Sequence, residues 1–185
     1  IETGKWGFQK PQTVFMTAPC QETCPAGNPI PQFLYFATQG KYDEALRTLL
    51  KENPFPGVCG RVCFHPCETD CNRSQYDESV SIKAVEQYVF DATSDHLPDI
   101  LPITNTDSKQ VAVVGSGPAG LSCAYFLALL GHKVTIIEAQ KEPGGVMRWG
   151  IPQYRLPKSV LKKEIQRIFH LPIEIRTGIK VGEDL

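Results

Sequence analysis

The sequence predicts an α+β chain in two parts: an all-α, cysteine-rich part over residues 1–108, and the opening of an α/β unit over residues 109–185. Three observations predict it. Six of the seven cysteines fall between Cys20 and Cys71, among short helical patterns broken by Pro and Gly. Leu97–Lys109 is Pro-rich and then polar, as linkers are. Beyond it the pattern switches to strand, helix, strand, which is a βαβ unit and implies parallel sheet.

Taken in order, Gln32–Thr38 forms an apolar, aromatic turn or two behind two prolines. Asp43–Glu52 is an amphipathic helix with acids in its first turn, where they suit the dipole. Ser81–Thr93 is another, with Ile82, Val85 and Val89 on one face. Between these two, Asn53–Arg73 holds four cysteines. After the linker, Gln110–Gly115 reads as a buried strand and Pro118–Leu130 as a helix ended by Gly131. Cys123 stands alone inside that helix. Lys133–Glu138 is a second strand, Pro157 at a first helical position opens Lys158–Phe169, and Ile173–Arg176 is one more strand.

Composition narrows the classes of function. The 185 residues are 42% hydrophobic and 21% charged, as in ordinary globular proteins, with net charge -1. That balance offers no basic surface for nucleic acid. No apolar run approaches the roughly 20 residues that span a bilayer. The first 20 residues are polar and Pro-interrupted, without the apolar stretch of a secretory signal, so a cytoplasmic location is expected. The chain opens on Ile1 rather than Met, which suggests missing upstream residues. Without an export signal, clustered cysteines read better as metal or cluster ligands than as disulfides.

The stretch Gly115-Ser-Gly117-Pro-Ala-Gly120 is a G-x-G-x-x-G directly after a strand and at the opening of a helix. Gly115 permits the tight turn, Gly117 lets the backbone approach a pyrophosphate, and Gly120 lets helix and strand pack closely. The helix N-terminus offers free N–H groups to the phosphates. Glu138 ends the second strand eighteen residues past Gly120, where an acid would hold a ribose hydroxyl. Its charge disfavours a 2′-phosphate. Glu142-Pro-Gly144-Gly145 adds a second glycine-rich approach. Spacing alone does not separate FAD from NAD.

The cysteines form two groups. Cys20-Gln-Glu-Thr-Cys24-Pro25 reproduces the C-x₃-C-P ending of the bacterial ferredoxin run. Cys59, Cys63, Cys67 and Cys71 recur every four residues, interrupted by Gly60 and Pro66, so a wrapped loop with short helical turns is expected. Zinc remains the alternative, but it needs four ligands and leaves two cysteines over. An iron–sulfur cluster fits better beside a flavin-type domain, because clusters and flavins exchange electrons. His65 lies among these residues and is read as a solvated loop histidine.

Together, Cys20–Pro25, the run NPFPGVCGRVCFHPCETDCNR, GSGPAG and GGVMRWGIPQYRLPK resemble the small subunit of glutamate synthase and the N-terminal part of dihydropyrimidine dehydrogenase. The resemblance covers essentially the whole chain. It implies an α-helical, ferredoxin-like [4Fe-4S] domain feeding a Rossmann-like FAD domain, with NAD(P)H bound further along and a partner subunit exchanging electrons. FAD would lie against Gly115, Gly117, Gly120, Glu138, Gly145 and Arg155, with Val181 near the adenine. One cluster would take Cys24, Cys63, Cys67 and a side-chain oxygen of Glu86. A second cluster would use Cys20 and Cys71 with cysteines at positions 12 and 15, which here are Gln12 and Phe15. Either Cys59 completes an unusual site, or one cluster forms. The chain stops at Leu185 before the FAD sheet closes, as in a fragment of a larger protein. No catalytic residue is assigned. The rival readings are a non-catalytic electron carrier and a zinc-stabilised interaction domain.

Overall fold

The structure, a computed structural model, describes residues 16–94 and 108–184. Gln12, Phe15 and most of the expected linker lie outside the described residues.

Prolines set where the first short helices begin. In α1 (Pro19–Glu22), α2 (Ile30–Thr38), α4 (Pro56–Val62) and α5 (Pro66–Thr69), Pro occupies the first or second position. There its missing N–H removes no helical bond. α3 (Tyr42–Leu50) keeps Asp43 and Glu44 in its first turn and buries Ala45, Leu46, Leu49 and Leu50. α6 (Ile82–Thr93) buries Ile82, Glu86, Val89 and Phe90. Ile30, Phe33, Leu46, Leu49, Ile82 and Val89 meet in one core, with Cys67 at its edge.

Two expectations are corrected here. Gly60 does not interrupt a helix but lies inside α4. A Cβ on it would stand 2.8 Å from the Gln87 backbone nitrogen, so glycine is what lets α4 approach α6. Pro157 stands one residue ahead of its helix in extended conformation, where its carbonyl accepts from the Val160 N–H at 3.0 Å.

The second part follows the expected pattern closely. β1 (Gln110–Val114), α7 (Pro118–Leu129), β2 (Lys133–Glu138), α8 (Val146–Trp149), α9 (Lys158–Ile168) and β3 (Ile173–Thr177) succeed one another. The strands are parallel in the order β1-β2-β3, with Val113 opposite Ile136 and Ile136 opposite Ile175. Only α8 is new, a single turn after the glycine pair. Among the described residues no helix is long and apolar enough to cross a membrane.

The two parts share a core: Phe55, Val58 and Phe90 pack with Leu121, Ile136 and Leu161. Polar bonds fasten the same seam. Tyr125 donates its hydroxyl to the Leu50 carbonyl at 2.9 Å. On α9, Arg167 pairs with Glu164, and neither side chain has any exposed surface. Arg167 also donates to the Pro54 carbonyl at 2.7 Å, and Glu164 accepts from the Gly57 N–H at 2.5 Å. Removing one partner of a buried pair strands the other charge, typically at a cost of about 3–5 kcal/mol. Arg167→Ala should therefore destabilise the chain by roughly that much. The double change Glu164→Gln with Arg167→Met, which keeps an acceptor for Gly57, should cost distinctly less. Urea unfolding of the three proteins checks this ordering, and equal losses would contradict it.

Candidate cofactor sites

The helical part folds four of its six cysteines around a cavity of about 130 Å³. The turn after α1 contributes Cys24, Pro25 and Asn28, and the segment before α4 contributes Asn53. Cys59 comes from α4, Cys63 from its end, Cys67 from α5 and Glu86 from α6. Tertiary ties hold these elements in place. Thr23 donates to Asp70 at 2.6 Å, and the Lys83 N–H donates to Glu68 at 2.8 Å, joining the start of α6 to α5.

Of the residues expected to bind metal, Cys24, Cys59, Cys63, Cys67 and Glu86 line this cavity, whereas Cys20 and Cys71 do not. Cys59 differs from its neighbours. Its thiol donates to Asn53 Oδ1 at 3.7 Å, and burial above all, with Glu86 nearby, pushes it up to about 12. Burial, then the proximity of Cys24, pushes the Cys67 thiol to about 12 as well. Burial, then the Glu164 carboxylate, raises Glu86 to about 8, against a hydrogen bond from Asn53 that favours its ionised form. Thiols and a carboxylate whose protons burial holds on are groups that a positive centre would ionise and bind.

His65 corrects the sequence reading. It is 7% exposed, its backbone is left-handed at φ 58°, and its N–H donates to Cys63 Sγ at 3.4 Å. Its Nε2 and Asn28 Oδ1 are buried polar atoms without a hydrogen-bond partner, and both residues line the cavity. Such orphans are uncommon and point to a group that completes them. The cavity is several times the ~30 Å³ that one water takes in the liquid. Donor chemistry, orphaned atoms and room together fit a polynuclear iron–sulfur group. Among the described residues, no three His, Cys, Asp or Glu side chains gather as around one ion.

The glycine loop lies in the second part, between β1 and α7. Gly115 has φ 89°, and a Cβ on Gly120 would stand 2.0 Å from the Gly115 carbonyl oxygen, so helix and loop touch only because Gly120 is bare. The second glycine pair docks on the first loop: Gly144 N–H donates to the Ser116 carbonyl at 3.0 Å. A Cβ on Gly145 would stand 2.6 Å from Gly117 Cα. Glu138 is buried beneath this loop. It accepts from the Ser116 N–H at 2.7 Å, the Ser116 hydroxyl at 2.5 Å and the Gln140 N–H at 2.8 Å. Gly115, Gly117, Gly120, Glu138 and Gly145 are thus one assembly. Arg155 is exposed in the turn before α9, and Val181 lies in the turn after β3, 46% exposed.

Sequence reasoning missed Asn28, Asn53, His65 and Ser116. Asn53 alone left a signal, since Asn-Pro marks a turn. The others depend on neighbours distant in the chain.

Residues 15–97 match the family model described as dihydropyrimidine dehydrogenase domain II, 4Fe-4S cluster. Residues 113–169 match that of an NAD(P)-binding Rossmann-like domain. Subunit beta of an NADPH-Fe(3+) oxidoreductase from Geobacter sulfurreducens is 40% identical over 97% of this chain and 28% of that protein. Subunit beta of an NADP(+)-dependent formate dehydrogenase from Moorella thermoacetica is 37% identical over 92% of the chain and 27% of its own length. The glutamate synthase [NADPH] small chain of Bacillus subtilis is 38% identical over 88% of the chain and 33% of its own length. The chain therefore spans a third or less of these curated relatives. The expected helical 4Fe-4S domain, followed by a Rossmann-like unit, is borne out.

Glu138 provides a test of the loop assembly. Burial opposes its ionisation, but hydrogen bonds from the Ser116 hydroxyl and the backbone of Gln140, Ser116 and Ala139 outweigh it and hold the carboxyl below its ordinary value. A depressed carboxyl contributes stability above its unfolded pKa and loses it as pH falls through the folded one. Glu138→Gln should be less stable than the parent at neutral pH, and the gap should close in acid. Urea midpoints across that range check it; a pH-independent gap would count against the ionised carboxylate.

Proposed function

We propose that this chain belongs with the glutamate synthase small chains and the dihydropyrimidine dehydrogenase cluster domain, and is the cluster-and-flavin portion of an NAD(P)H-dependent oxidoreductase. Residues 1–108 form the cluster domain with its linker, and residues 109–185 open the flavin domain. The observation that carries this reading is the convergence of Cys24, Cys63, Cys67 and Glu86 on one cavity that also holds two unpartnered buried polar atoms.

In this reading Cys24, Cys63, Cys67 and Glu86 hold one [4Fe-4S] cluster, which passes electrons singly. Cys59 stays a thiol in the wall, bonded to Asn53. The Cys63 sulfur already accepts the His65 N–H, a bond of the kind that tunes cluster potentials. Gly115, Gly117, Gly120 and Gly145 give a dinucleotide pyrophosphate close access to backbone N–H groups at the start of α7. Glu138 anchors the loop through Ser116 and Gln140, and with FAD bound it would lie near the ribose, Arg155 would contribute a charge from the turn before α9, and Val181 would lie near the adenine.

We assign the dinucleotide as FAD. A nicotinamide yields a hydride and a cluster takes one electron, so a flavin between them matches the two. The NAD(P)-binding description of the matched model makes NAD(H) the competing ligand for the loop. NAD(P)H would bind elsewhere in the longer protein, and the electrons would pass to or from a partner subunit in the cytoplasm.

Reconstituted without oxygen, the chain should be brown and carry about four irons with matching acid-labile sulfide. Stoichiometric zinc without visible absorbance would defeat the cluster assignment. Glu86→Ala removes a negative ligand, so it should alter the reduced cluster's EPR signal and raise its potential. An unchanged spectrum and potential would make Glu86 a wall residue. Tighter binding of NADH than of FAD in titration calorimetry would reverse the assignment of the loop.

A further inference from the structure

A carboxylate at the end of a flexible side chain binds iron well only if something holds it in one pose. Glu86 is held by Asn53, itself 4% exposed, whose Nδ2 donates to Glu86 Oε1 at 3.1 Å. The direction of that amide is fixed by its surroundings. Its Oδ1 accepts from the Phe55 N–H at 2.9 Å and from the Cys59 thiol at 3.7 Å, so Oδ1 faces two donors and Nδ2 is the end left for Glu86. No other hydrogen bond to the Glu86 carboxylate occurs among the described residues, which leaves Oε2 available to a ligand in the cavity Glu86 lines.

Asn53 is in turn held from both sides. Its N–H donates to the Leu49 carbonyl at 2.9 Å, tying it to the end of α3. The next residues are clamped by α9, with Arg167 on the Pro54 carbonyl and Glu164 on the Gly57 N–H. The chain from Asn53 to Gly57 is thus a short strap, with the nucleotide unit gripping one end and the Glu86 carboxylate held by the other.

We propose that Asn53 is a positioning residue for the cluster: by engaging Oε1 of Glu86, it presents Oε2 to the iron that lacks a cysteine. This rests on Glu86 being a ligand. The outer partners of metal ligands orient them and tune the metal, and losing them weakens the site without removing a ligand.

The test uses the full chain, reconstituted with iron and sulfide, and reads the EPR signal and midpoint potential of the reduced cluster. Asn53→Ser is the main variant. A serine hydroxyl accepts from the N–H two residues on in the same kind of turn, so Phe55 keeps its partner, but serine is too short to reach Glu86. Asn53→Ala removes all three side-chain bonds. Both should keep their iron yet shift the EPR signal and potential part of the way toward those of Glu86→Ala. Asn53→Ser combined with Glu86→Ala should match Glu86→Ala alone, because the asparagine then has nothing to hold. Should the Ala variant fail to fold, the Ser variant decides. A Ser variant with unchanged signal and potential, beside an altered Glu86→Ala, overturns the positioning role and leaves the ligand standing. Additive shifts in the double variant also overturn it. No change in Glu86→Ala itself removes the ligand assignment, and the inference with it.

Discussion

Glu164 and Arg167 face each other one turn apart on α9, with no surface in contact with solvent. Burying two charges costs several kcal/mol per ion unless they pair and their remaining hydrogen-bonding groups are met. Part of what meets them comes from outside the helix: the Pro54 carbonyl takes an Arg167 N–H, and the Gly57 N–H gives to Glu164, while Arg167 Nε and Nη1 have no hydrogen-bond partner. The Phe90 ring lies 5.9 Å from the guanidinium, adding an attractive face. The pair therefore stays buried only while residues 54–57 lie against α9. The same segment begins the helix that carries Cys59 and leads to Cys63, so the seam between the two parts also shapes the cavity. Gly57 shows how close the fit is, because a Cβ there would stand 2.7 Å from the Phe90 ring and 2.8 Å from Glu164.

The cavity and the glycine loop solve opposite electrostatic problems. Around the cavity, thiols and a carboxylate crowd together, and burial keeps their protons on until a positive centre takes the protons' place. Around the loop, Glu138 is ionised readily because N–H and O–H donors converge on it. One site is shaped to receive positive charge and the other to offer backbone N–H groups to negative phosphates.

Much of this was legible in the residues. The βαβ unit was, because its signals are local: a strand-length apolar run, a glycine loop, a Gly after the helix and a terminal acid lie within thirty residues. β1, α7, β2 and β3 accordingly fall within a residue or two of their expected bounds. The C-x₃-C-P run and the four-residue cysteine repeat fixed the chemistry of the helical part for the same reason, since ligand type is written in residue type. Gly60 was misread as a helix interruption because its purpose, admitting Gln87 of α6, involves a partner twenty-seven residues away.

What the sequence alone determined, then, is residue chemistry and local geometry: cysteines enough for a cluster, glycines placed for a phosphate loop, and prolines that start helices. Only the tertiary structure decided which of those residues act together. It brought Cys24, Cys63, Cys67 and Glu86 to one cavity, left Cys20 and Cys71 outside it, and buried His65, which in sequence resembles any loop histidine. It also gave Asn53 and Glu164 roles that no motif marks. The physical reason is that hydrogen bonding and desolvation depend on neighbours in space, and those neighbours stand 33 residues from Asn53 and 107 from Glu164 along the chain.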